Sequence, residues 1–111
     1  MVDAKTAGSR TLIARWIEPN PHKPGPAEWH IRGTGLPVWR VVGQFAVELG
    51  TDDPTGYRVI VAGAVSLKLL KAVAAYYDVD AEAIRAALAY ASQHQEPVIA
   101  HLVLDRAALS R

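Results

Sequence analysis

Apolar positions along this chain fall into runs of contrasting period. Val38, Val41, Val42, Phe45 and Leu49 recur at the three-and-four spacing of one helical face, and Gly50 supplies a stop, which predicts a helix over Val38–Leu49. Leu70, Val73, Ala74 and Tyr77 repeat that spacing behind Ser66, a hydroxyl suited to capping. Asp80 can cap a further helix, which carries Ile84, Ala87, Leu88 and Ala91 on one face and runs to about His94, where Glu96-Pro97 marks a break. Other runs are shorter and rich in β-branched residues. Thr11 to Ile17 reads as a strand, and Glu28 to Arg32 as a second strand paired with it. Between them Pro19, Pro21, Pro24 and Pro26 forbid a helix or a central strand and predict an exposed loop or arm. Asp52 to Gly56 reads as a turn and Tyr57 to Val61 as extended chain. Val98 to Ala108 is apolar almost all round and fits either helix or strand. Met1 to Ser9 carries no pattern, so a flexible terminus (1–9) is expected ahead of a single domain (10–111).

The densest signal is Ile31-Arg32-Gly33-Thr34-Gly35-Leu36-Pro37-Val38. Its two glycines permit backbone angles closed to other residues, and its proline presets φ for a helix start, so a strand can turn sharply into a helix. Arg32 beside them could hold a phosphate or a partner carboxylate. The run resembles the strand-turn-helix signature, written I-R-G-T-R-I-P-V, of the family catalogued as domain of unknown function 433, small bacterial proteins similar to VapB-type antitoxins. Gly35 stands where that pattern has a second arginine, and the stretch from Asp52 to Gly63 reads as an expansion. The resemblance favours helix for the last segment and implies an antitoxin-like regulator of a type II toxin-antitoxin system, which binds its operator DNA and, through its C-terminal portion, a toxin protein.

Composition narrows the classes. A chain of 111 residues, half of them hydrophobic, fits one domain with a core of its own. A net charge of +1 announces neither nucleic acid nor an anionic membrane. Cysteine is absent, which removes disulfides and thiolate chemistry and suits a reducing cytoplasm. There is no secretory h-region and no run near the roughly 20 apolar residues that span a bilayer, so a cytoplasmic protein without a membrane partner is expected. His22, His30, His94 and His101 have no compact ligand spacing, and Asp52-Asp53 and Asp78/Asp80 sit where turns and caps want carboxylates. No catalytic residue, metal or cofactor is therefore assigned, and an enzyme ranks last.

Two helices joined by Asp78-Val79-Asp80 have the proportions of a helix-turn-helix: small Ala74 lets them cross, Asp78 makes the turn, and Val79 and Ile84 anchor the junction. A plain antiparallel pair would look the same. The expected fold class is mainly α, a helix-turn-helix bundle of homeodomain or winged-helix kind with a small N-terminal β element. If the second helix reads bases, its early exposed positions are Ala81, Glu82, Arg85 and Ala86, and only Arg85 suits the task, because arginine grips guanine through two hydrogen bonds. Lys68, Lys71, Arg58 and Arg32 are candidates for phosphate contacts. The all-round apolar last segment needs cover, so Val98, Ile99, Leu102, Val103 and Leu109 are candidates for a dimer or toxin interface, with His101 and Asp105 as its polar stripe, unless they close the protein's own core. Trp16, Trp29 and Trp39 are read as core or dimer contacts. The rival to the regulator is a dimeric protein-interaction module without DNA binding.

Overall fold

The computed structural model describes residues 4–63 and 65–109, with 4–7 described by backbone alone. Six helices and one two-stranded sheet are found among them: α1 (Ala4–Trp16), β1 (Ile17–Glu18), β2 (His30–Ile31), α2 (Val38–Leu49), α3 (Pro54–Val61), α4 (Leu67–Tyr77), α5 (Ala81–Gln93) and α6 (Gln95–Leu109). The mainly helical class with a small β element stands.

Where period and cap agree, the helices form as expected. Ser66 Oγ accepts from Leu69 N at 3.1 Å to start α4, and Asp80 Oδ1 accepts from Glu82 N at 2.8 Å to start α5. Gly50 closes α2 in the left-handed region. Asp78 does the same for α4, at φ 55 and ψ 49, and the Val79 N–H reaches back to Ala74 O at 3.0 Å. Asp78 is the only non-glycine with positive φ among the described residues.

Two segments differ from the sequence reading, and in a third the structure decides a choice that reading left open. Thr11 to Trp16 is the last part of α1, whose helix begins as early as Ala4, so only Ile17 and Glu18 remain extended. Leu12, Ile13 and Trp16 share a face that packs on the core, and this tertiary contact overrides the local β preference of the run. Residues 1–3 of the expected flexible terminus lie outside the described residues. Tyr57 to Val61, read as extended, belongs to α3. Asp53 and Pro54 are its N-cap and first residue, with Asp53 Oδ1 accepting from Gly56 N at 2.7 Å. The last segment is helical, and Pro97 falls within its first turn, where no N–H is needed.

β1 and β2 pair antiparallel, Ile17 opposite Ile31 and Glu18 opposite His30. The proline-rich connection between them holds one 3-10 turn, Pro26–Glu28. α5 lies at the centre. α1, α2, α3, α4 and α6 all pack on it, and both strands touch it. Ala83, Ile84, Ala86, Ala87 and Ala91 are wholly buried, their small side chains letting neighbouring helices approach. For Ala86, expected among the exposed positions, this is a correction, and it follows from neighbours packing on several sides of α5.

Candidate functional site

The 31–38 run builds its turn largely from its own groups. Gly33 and Gly35 take φ 77 and 69, angles that a side chain would strain. Thr34 Oγ1 donates to Ile31 O at 2.9 Å and accepts from Leu36 N at 3.0 Å, and His30 and Pro37 form an isolated β-bridge. Arg32 does hold a carboxylate, but an internal one: its guanidinium donates to Glu18 Oε2 at 2.9 Å and to Ala14 O at 3.2 Å, while His30 Nε2 lies 3.1 Å from Glu18 Oε1. Arg32 thus ties α1 to the sheet, and its fork is already filled.

Behind the turn, Glu28 is the one buried charged residue among those described, and its Oε1 lies 3.4 Å from His101 Nε2. His101 stacks on Trp39 with centroids 4.5 Å apart, and Arg40 covers the Trp39 ring at 5.2 Å. His101 is therefore not part of an outward polar stripe. It is half-buried beside Glu28, a carboxylate whose burial without a partner would be costly. A cleft of about 420 Å³ opens here, lined among others by Lys23, Glu28, Gly35, Trp39 and Arg40. A β-carbon on Gly35 would meet nothing within 4 Å, so the missing side chain leaves this cleft open.

Trp39, Arg40 and Tyr77 also border a second hollow, a groove of about 440 Å³ between α2 and α6. Its floor is Gly43 and Leu102, packed so closely that a β-carbon on Gly43 would stand 3.1 Å from Leu102 Cδ2. Its walls mix polar and apolar groups, and three of the apolar ones are open to solvent: Val47 is 59 %, Tyr76 66 % and Leu109 70 % exposed. Arg106 and Asp52 on one wall pair at 3.1 Å, and Asp52 accepts the Tyr57 hydroxyl. Burial first, then that hydrogen bond, pushes the Tyr57 phenol above its ordinary range. Burial also raises Tyr77, with the Tyr76 ring beside it acting the same way and Arg40 opposing. Arg40 and Asp105 line the groove too, and neither has an ion-pair partner among the described residues.

The residues read as an interface divide. Val98, Ile99 and Leu102 are buried at 0–5 % exposure in the protein's own core, which withdraws Val98 and Ile99 from any partner, while Val103 and Leu109 remain exposed. Val47 and Tyr76 escape the sequence reading because helical period marks them only as off-core positions; their convergence with Leu109 is a matter of packing. Trp16, Trp29 and Trp39 pack against the core, as read, with Trp29 stacked on Tyr90 at 5.3 Å.

The candidate DNA contacts lie on separate elements. Lys68 and Lys71 are exposed on α4, Arg85 and Glu82 on α5, with Glu82 4.0 Å from Arg15 of α1. Arg58 pairs with Glu96 at 3.2 Å. Among the described residues no group of three or more His, Asp or Glu side chains is placed to hold a metal, and no helix is long and apolar enough to cross a membrane.

No family model, no curated protein and no solved structure matches the chain.

Proposed function

We propose that the protein is a protein-interaction module that seats its partner in the groove between α2 and α6. One observation carries this reading: Val47, Tyr76 and Leu109, three large apolar side chains each more than half exposed, converge on one concave surface. Scattered apolar residues are ordinary on a protein surface, but a contiguous rimmed patch marks an interaction site. The groove's rim supplies polar groups, Gln44, Arg40 and Asp105, as interfaces require.

The test places a photo-reactive phenylalanine at Val47, at Leu109 or, as control, at Lys68, and irradiates cells of the source organism. Covalent protein adducts from the two groove positions and none from Lys68 support the reading. Adducts from no groove position, or equally from Lys68, reject it.

The second reading is the antitoxin-like regulator, a helix-turn-helix protein with operator DNA and a toxin as partners. The α4–α5 pair, with its left-handed Asp78 and the exposed cations Lys68, Lys71 and Arg85, favours it. The enclosure of α5 weighs against it, since a recognition helix must enter a groove about 12 Å wide with its reading face free. Fluorescence anisotropy with its own upstream DNA decides: salt-sensitive preference over a scrambled fragment, reduced in Arg85→Ala, supports the regulator. Equal binding to both fragments rejects it.

A further inference from the structure

We propose that the partner seated in the α2–α6 groove is a second copy of this chain, docked about a two-fold axis with Arg40 of each copy against Asp105 of the other; this rests on the groove being an interaction surface. A two-fold interface is self-complementary, so a surface patch suited to one must contain both members of each contact. This groove does. It is lined by one guanidinium and one carboxylate that lack ion-pair partners among the described residues, Arg40 on α2 and Asp105 on α6, beside the exposed Val47, Tyr76 and Leu109 and a floor of Gly43 and Leu102.

The other charged groups of the groove are already engaged. Arg106 and Asp52 neutralise each other, and Asp52 also takes the Tyr57 hydroxyl. A partner with a single sign of charge would satisfy one of the two remaining groups and leave the other facing a like charge or nothing. A second copy satisfies both, and places two ion pairs across the axis with equivalent geometry. The apolar groups are matched in the same way, because Leu109 stands on the groove's rim at 70 % exposure beside Val47 and Tyr76, so each copy offers one projecting leucine and one groove to receive it. The Leu109 of each copy fills the hollow of the other. Tyr76 and Val47 flank that contact and supply the kind of aromatic and aliphatic anchors that dominate interface energetics.

Sedimentation velocity on the full chain tests this, using Arg40→Glu and Asp105→Arg alone and mixed. The wild type is expected to be a dimer at about 100 µM. Each variant alone faces like charges twice across the axis and should weaken association by about a hundredfold. In a one-to-one mixture both ion pairs return with their signs exchanged at one end of the axis, so a heterodimer forms although each component alone is a monomer. That restoration also excludes misfolding of either variant as the cause of its loss. A wild type that stays monomeric overturns the second copy as occupant, and if groove photo-adducts to another protein still form, the interaction reading survives it. A wild-type dimer indifferent to both substitutions overturns this groove as its interface.

Discussion

Gly56→Ala isolates one contact on which the junction of α2 and α3 depends. A β-carbon at this position would stand 1.9 Å from Thr51 O and 2.7 Å from both Thr51 Cβ and Oγ1. The obstacle is backbone, and it is fixed: Thr51 N donates to Ala46 O at 2.9 Å, and Thr51 O accepts from Asp53 N at 2.9 Å. Relief therefore means shifting α3 away from Thr51, which stretches the 2.7 Å cap from Gly56 N to Asp53. Overpacking of this kind costs about 1–3 kcal/mol and loss of a cap about 1 kcal/mol, against a gain of under about 1 kcal/mol from alanine's helix propensity. The net expectation is a loss of about 1–3 kcal/mol, which lowers Tm by roughly 4–12 °C for a domain of this size. Thermal and urea unfolding followed by circular dichroism measure it. Gly8, within α1, has no atom within 4 Å of its hypothetical β-carbon, so Gly8→Ala should be neutral or raise stability by up to about 1 kcal/mol. A Gly56→Ala protein with unchanged Tm would refute the steric argument.

Asp78→Gly should raise stability by about 0.5–1 kcal/mol, since glycine adopts the left-handed φ of 55 without a steric penalty; a lower urea midpoint would show that the Asp78 side chain holds the turn. Arg32→Ala and Glu18→Ala should each cost about 1 kcal/mol, with the double variant losing less than the sum, as a double-mutant cycle in urea reads out; strict additivity would mean that the partly exposed pair contributes nothing. Burial pushes the Tyr90 phenol up to about 12 and raises Tyr57 as well, so the folded chain keeps these protons more tightly than the unfolded one. This contribution is intact below pH 10 and is lost as pH rises through 10 towards 12, and Tyr90→Phe should flatten the fall in urea midpoint between about pH 10 and about pH 12. An equally steep fall in that variant would refute the assignment.

Much of the helical frame is legible in the order of residues. α2, α4 and α5 announce themselves because two independent signals coincide, an apolar stripe of helical period and a residue at the end that satisfies free backbone groups: Gly50 after α2, Ser66 before α4, Asp80 before α5. The turn at Gly33 and Gly35 is legible for the same kind of reason, as few other residues take its angles. α3 is equally marked by Asp53 and Pro54, but the β-branched residues Val59, Ile60 and Val61 mask it. The candidate groove is only half legible. Leu109 stands out as an apolar residue in search of cover, whereas Arg40 and Asp105 are two ordinary surface charges until α2 and α6 are placed side by side.

Residue order alone settles the features that depend on neighbours along the chain: period, caps, turn angles, the proline-rich loop, and the absence of thiol chemistry. Long-range packing settles the rest. The state of Thr11 to Trp16 depends on α1 finding α5 to pack against, because an isolated helix of 13 residues is marginal in water. The half-buried placement of His101 depends on Glu28, which is distant in sequence and needs a partner once buried. Which faces of α5 and α6 meet solvent is likewise fixed by the helices around them, since a side chain's exposure is a property of what packs over it and not of the residues beside it.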